Sequence, residues 1–278
     1  MNTENLEFLQ ESLKYLGFGE KLLLNQQLEE LIAKQPKDFV LETEAFYDEE
    51  TRLETTLHFR RSEQLDMYFF NRYEAKLCFG GDPARDRGHT FYINKGSGVT
   101  LREAYNLLQG RAVNKDLTDS EGQKYNAWIQ LNLDERDGNN NYKMKQFRLQ
   151  YGYNLEKTLE KYPIRELKNE ILKTSLIKSL KKGNLHTVSF EKPNKIEKML
   201  IEANPQYKTI NIYSFGNRSG GKASPKQDQG TAGVNDPRPG SKNPPEEKEE
   251  DPEDREEMKE EEMELPGGKP PTKKRSYR

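Results

Sequence analysis

The sequence predicts an α+β protein whose antiparallel sheets are built from repeated helix–strand–strand modules, with a disordered C-terminal tail. Three observations lead to this expectation. Helical apolar patterns end near Lys34, Gln109 and Lys182, so the recurrence is almost constant, at 75 and then 73 positions. Each is followed, after a short break, by runs in which apolar and polar residues alternate with the period of a strand. From Ser214 onward no periodicity survives, and Gly, Pro, Ser, Lys and Glu dominate.

The first helix is expected over about residues 5–16, where Leu6, Leu9, Leu13 and Leu16 form one apolar stripe. Gly17 and Gly19 stop it, because glycine accepts the left-handed conformation that closes helices. A second helix, about residues 20–34, places Leu24, Leu28, Leu31 and Ile32 on one side, and Pro36 prevents its continuation. Phe39, Leu41, Thr43 and Ala45, then Leu53, Thr55, Leu57 and Phe59, alternate as a hairpin with one buried face. Met67 to Phe70 and Tyr73 to Phe79 read as two further runs of the sheet, and Phe91 and Ile93 lie on a last one.

Thr100 and Glu103 form a capping-box pattern that opens the second module, with Ala104, Leu107 and Leu108 facing inward and Gly110 as the stop. Tyr125, Ala127, Ile129, Leu131 and Leu133 share one strand face, and the polar loop at 134–141 returns the chain along residues 142–153. The third module opens with a short helix over 154–162. Pro163 suits the first turn of the next helix, which Asn169 can break and Gly183 closes. Strand patterns at 185–191, 196–202 and 205–213 complete it. The modules share order and spacing more than residue identity; their closest echo is Leu108–Arg111 against Leu180–Gly183. The expected division is 1–98 (helical pair plus sheet), 99–213 (two helix–hairpin modules, separate from the first region or continuous with it) and 214–278 (tail).

Composition bounds the function. Residues 1–213 carry 32 basic and 32 acidic side chains, so no global charge draws the body to nucleic acid or an anionic membrane. Residues 246–264 hold 13 acidic residues, and the last ten residues are basic. Such a segment buries too little apolar surface to offset its chain entropy. Cys78 is the only cysteine, which excludes an internal disulfide and suits a reducing cytoplasm. The opening residues predict no secretory leader, and no apolar run has the length to cross a bilayer.

Candidate chemistry is sparse. Gly96 and Gly98 stand between a strand and a helix start, where backbone N–H groups can hold an anion, but they match no complete phosphate-binding motif. His58, His89 and His186 occupy separate strand runs, without metal-ligand spacing. Cys78 has no neighbour in sequence to activate it. No catalytic, cofactor or metal site is therefore expected. The stronger signal is aromatic residues interleaved with basic ones. Arg72 and Tyr73 form one group; Arg111, Lys115 and Lys124 flank Trp128; Lys143, Lys145 and Arg148 follow. On a sheet surface these nine residues suit either a protein partner or stacked single-stranded nucleic acid. They equally suit half-buried strand positions with basic side chains lying over them.

The phrases RAVNK, EGQKYNAWIQL, NYKMKQF and YGYNLEKTLEKYPI, and later KSLKKGNLHTVSFE and IEANPQYKTINIY, resemble uncharacterised proteins carried on conjugative and other mobile elements of Bacteroidetes-type bacteria. The resemblance covers roughly residues 5–213 and excludes the tail. It implies a setting on transferable DNA and carries no catalytic residues with it. The resulting expectation is a non-enzymatic binding or adaptor protein with a protein partner. Direct nucleic-acid binding is the alternative, and an unrecognised enzyme such as a nuclease is a third reading. Oligomeric state is left open.

Overall fold

The structure, a computed structural model, describes residues 2–19, 22–93, 98–193 and 195–214. The expected tail at 214–278 lies, beyond Ser214, outside the described residues. Helix α1 (Thr3–Tyr15) begins at Asn2, whose side chain accepts from the Asn5 N–H, and gives way at Gly17 in the left-handed region. Helix α2 (Leu22–Lys34) follows. Strands β1 (Asp38–Phe46), β2 (Thr51–Arg61), β3 (Tyr68–Phe79) and β4 (Arg87–Tyr92) then form an antiparallel meander in sequence order.

Strand β3 is one continuous element where the sequence suggested two. A bulge lies opposite His58 and Phe59, which pair with Arg72 and Phe70, leaving Asn71 as an extra residue. It shifts the inward set from Tyr68 and Phe70 to Tyr73, Ala75 and Leu77. The alternation breaks there because the phase changes, while the strand goes on.

Helix α3 (Leu101–Leu108) precedes the three-stranded meander β5 (Val113–Thr118), β6 (Lys124–Arg136) and β7 (Tyr142–Arg148). The Thr100–Glu103 capping box is present with both of its hydrogen bonds. Helices α4 (Leu155–Leu159) and α5 (Glu170–Lys181) lead into a second such meander, β8 (His186–Lys192), β9 (Lys195–Asn204) and β10 (Thr209–Ser214). Asn169 caps α5 by accepting from the N–H groups of Ile171 and Leu172. Pro163 does not start a helix. The Pro163 carbonyl accepts from the Glu191 N–H at 2.8 Å and Ile164 bridges to Phe190, which holds this stretch extended against β8.

The architecture is α+β, with three antiparallel sheets among the described residues, and the repeat is visible in the backbone. The residue that ends each module helix takes positive φ: Gln35 (+52°), Gly110 (+86°) and Gly183 (+76°). Each of the last two modules carries a three-stranded meander, and in the third it matches the strand patterns expected at 185–191, 196–202 and 205–213.

All described residues belong to one compact unit, with two hydrophobic cores. The first joins α1, α2, α3, the inner face of the four-stranded sheet, and Val113, Ile129 and Leu131 from one face of the β5–β7 sheet. The second joins Trp128 and Phe147, from that sheet's other face, to α4, α5 and the β8–β10 sheet. The cores therefore meet at the central sheet, which is covered on both sides, rather than parting near residue 98. Among the described residues, no helix is long and apolar enough to cross a membrane.

Candidate functional site

The nine residues singled out from sequence do not form one surface. Tyr73 is fully buried in the first core, and its hydroxyl donates to the Val99 carbonyl at 2.6 Å. Trp128 is buried in the second core, edge-on to Tyr153. Burial of both rings removes them as stacking platforms, a correction to the surface reading, because each strand face they occupy is covered by helices. Arg72 stays on the outer face of the four-stranded sheet beside Glu74. Lys115 pairs with Glu103 at 2.8 Å, and both side chains are largely buried. Lys124 and Lys145 are exposed, and Lys143 pairs with Glu135 at 2.8 Å. Arg148 lies over the Tyr125 ring at 4.3 Å, on the opposite sheet face from Lys145, since they pair with Ala127 and Gln130 respectively.

Arg111 belongs to a polar seam that joins all three modules. Asn106, fully buried on α3, donates to the Lys182 carbonyl at 2.6 Å and to Asn184 Oδ1 at 2.9 Å. Its own Oδ1 accepts from Arg111 Nη2 at 2.6 Å, and Arg111 Nε donates to the Gly183 carbonyl at 3.0 Å. These bonds satisfy carbonyls at the C-terminal end of α5 that no further helical turn can reach. On the opposite side Tyr105 donates to Asp48 at 2.7 Å, and Arg102 lies over the Tyr47 ring at 4.5 Å. Burial lowers the Arg111 pKa from its usual value, and the Glu202 carboxylate opposes that shift. The two segments that echo each other in sequence, at residues 108–111 and 180–183, are thus in direct contact. Asn106 carried no signal in the sequence, because a polar residue on a helix ordinarily faces water.

Gly183 makes this contact possible. A Cβ there would lie 2.8 Å from the Ala112 carbonyl and 2.9 Å from Val113 Cγ2, in a backbone already at positive φ. Gly183→Ala is expected to cost about 2–3 kcal/mol, from left-handed strain plus overpacking. Gly122→Ala, also at positive φ but with no atom within 4 Å, should cost only about 1 kcal/mol. Urea denaturation of both variants checks the difference.

The histidines and the cysteine take structural positions. His89 accepts from the Tyr142 N–H at 3.2 Å, and burial depresses its pKa to about 4, with Asp137 opposing and Arg136 reinforcing the shift. The unfolded chain protonates this ring near pH 6.5 and the folded chain only near 4. Its contribution is therefore intact above about pH 6.5 and lost as pH falls, by about 2 kcal/mol at pH 5. Wild type should lose that much more stability than His89→Gln between pH 7.5 and 5, measured by urea denaturation at each pH. His58 Nε2 sits 2.9 Å from Glu74, and His186 Nδ1 is 2.9 Å from the Ser179 hydroxyl. Burial and Glu54 push the Cys78 thiol up, away from the reactive thiolate. No group of three or more His, Cys, Asp or Glu positioned for a metal ion occurs among the described residues.

Gly96 of the candidate anion cradle lies outside the described residues. At its helical end the N–H groups are already engaged: Leu101 donates to the Leu16 carbonyl and Glu103 to the Thr100 hydroxyl.

The open surfaces are elsewhere. The outer face of the four-stranded sheet carries a row of paired residues, Val40, His58, Arg72 and Tyr92, that crosses all four strands. Both ends are exposed hydrophobics, Val40 and Tyr92. Beside it, α2 and the edge strand β1 bound a shallow groove of about 550 Å³, lined by Gln27, Glu30, Leu31, Lys34, Val40, Leu41 and Glu42. Compared with protein-family models, curated proteins and solved structures, the chain matches none.

Proposed function

We propose that this chain is a non-catalytic binding or adaptor protein that acts through open sheet surfaces, in the setting of a mobile genetic element. The observation that carries this reading is the uncovered outer face of the four-stranded sheet. Three rows of side chains run along it: Asp38, Val40, Glu42, Glu44 and Phe46; Arg52, Glu54, Thr56, His58 and Arg60; and Arg72, Glu74, Lys76 and Cys78. Acidic and basic groups nearly balance there, so the face offers no field that draws a polyanion. Mixed charge framed by exposed Val40, Phe46 and Tyr92 suits a protein partner. The setting rests on the sequence resemblance, and the cytoplasm on the lone Cys78. The acidic segment at 246–264 gives a second contact for a basic partner.

Direct nucleic-acid binding is the second reading, favoured by Lys143 and Lys145 on the same face of β7. Affinity purification with the tagged chain, with and without nuclease, separates the two. The adaptor reading expects a specific protein that survives nuclease and is lost when Arg72→Glu and Tyr92→Ala are combined. Material removed by nuclease, with affinity that falls steeply in salt, transfers the function to the second reading. A protein partner indifferent to the outer-face changes overturns the use of this face.

A further inference from the structure

Strand β1 is the edge of its sheet, and its backbone polarity can be read from one bond. The Arg61 N–H donates to the Lys37 carbonyl at 2.9 Å. In an antiparallel ladder hydrogen-bonded pairs alternate with non-bonded ones. The β1–β2 register runs without a shift from Asp38↔Arg60 to Phe46↔Arg52. Phe39, Leu41, Thr43 and Ala45 therefore bond to β2, and the N–H and C=O groups of Asp38, Val40 and Glu42 point outward. None of these three has a backbone partner among the described residues.

The groove beside that edge has two different walls. Leu31 of α2 and Leu41 of β1 line its inner side. Glu30 and Glu42 also line it with Lys34, so carboxylates outnumber the one ammonium there, and Asp38 and Glu44 extend the acidic character of β1 on the outer face. Asp38 lies 3.9 Å from Arg60 and Glu44 3.8 Å from Arg52, whereas Glu42 faces Thr56 and has no ion-pair partner among the described residues. A shallow groove of this kind does not enclose a small molecule. Its β1 edge has free hydrogen-bonding positions for one more strand.

We infer that the β1 edge and the α2 groove take an extended peptide by strand addition. The peptide's basic side chains would face Glu42 and Glu44, and its alternating apolar side chains would enter the groove against Leu31. The pattern follows from the pleat, because successive residues of the added strand point to opposite sheet faces. Opposite charges directly across a ladder stabilise it and like charges oppose it. That rule selects a basic strand and disfavours the β1 edge of a second copy, which would set acidic residues against acidic residues. The inference deepens the adaptor reading, on which it rests, by naming the chemistry of the partner.

The probe is a labelled peptide, acetyl-KVKVKVK-amide, titrated into the whole chain and followed by fluorescence anisotropy and amide hydrogen exchange. The expected result is saturable binding with slowed exchange at Val40 and Glu42. The same peptide N-methylated at its three central residues should bind at least tenfold more weakly, since this removes the ladder donors whichever way the added strand runs. Glu30→Lys combined with Glu42→Lys should weaken KVKVKVK by tenfold or more. Val40→Pro should abolish slowed exchange while the denaturation midpoint shows that the fold persists, because the lost N–H faces outward. Equal binding of the two peptides, or unchanged exchange at Val40 and Glu42, overturns the inference. If the peptide fails while the tagged chain still captures a nuclease-resistant protein through the outer face, the adaptor reading stands and only the groove is refuted. If both fail, both are refuted.

Discussion

Trp128→Ala is expected to destabilise the protein by about 3–5 kcal/mol, the cost of emptying a large aromatic site in a packed core. Trp128 belongs to the core that also holds Phe147, Tyr153, Leu155, Leu176 and Leu180, and Tyr153 meets its ring edge-on at 5.4 Å. Its loss opens a cavity between the central sheet and the third module, which few neighbouring side chains can fill. Urea denaturation provides the measurement, with Lys145→Gln as the surface control, expected within about 0.5 kcal/mol of wild type. If Trp128→Ala leaves the midpoint near that of the control, the tryptophan is not the buried element described above. The experiment also bears on nucleic-acid binding. Loss of binding by Trp128→Ala is an effect on the fold, so direct contact is tested instead by Lys143→Gln with Lys145→Gln.

Arg111→Ala should cost about 3 kcal/mol or more, because it leaves the Gly183 carbonyl and Asn106 Oδ1 buried without their donor. It also removes the positive charge with which the Glu202 carboxylate interacts. Arg111→Lys should recover only a minor part. An ammonium on a single stem cannot place two donors on two acceptors in the fixed geometry of a guanidinium. Asn106→Ala removes the other half of the same network. A double-mutant cycle between Asn106 and Arg111 should therefore show a coupling of about 1–3 kcal/mol, read from denaturation midpoints and slopes. Additive losses would mean that the two residues stabilise the seam independently. The seam also gives the modular repeat an energetic meaning. Neighbouring modules are joined through shared helix ends, so a change at residue 111 is felt by the third module as well as the second.

Much of the fold was legible because its signals are local. Leucines three and four apart mark α1 and α2, Thr100 and Glu103 mark the start of α3, and the break expected at Asn169 is where α5 begins. The left-handed exits at Gly110 and Gly183 follow from glycine alone, whereas Gln35 takes the same conformation with no such signal. Strand β3 was divided in two because a bulge changes the phase of its alternation without ending the strand. Pro163 was assigned to a helix because its preference for a first helical turn is local, while its pairing with β8 is not.

The candidate surface was less legible, for a related reason. Tyr73, Arg72, Trp128 and Lys145 follow the same local rule of aromatic beside basic, yet the structure buries both aromatics, leaves Arg72 half-buried and exposes Lys145. The β1 edge and its groove had no sequence mark, since β1 resembles any half-buried strand until its position at the sheet boundary is known.

By itself, the sequence determined the order of helices and strands, the 75- and 73-residue recurrence and the helix exits. These depend on backbone preferences and on periodicity within a few residues. Only the tertiary structure decided which strand faces are covered, which edge is free and which polar groups close the seam. Alternation tells which residues share a face. Whether a second face meets water or another module depends on residues scores of positions away, as with Trp128 against Leu180 and Asn106 against Asn184.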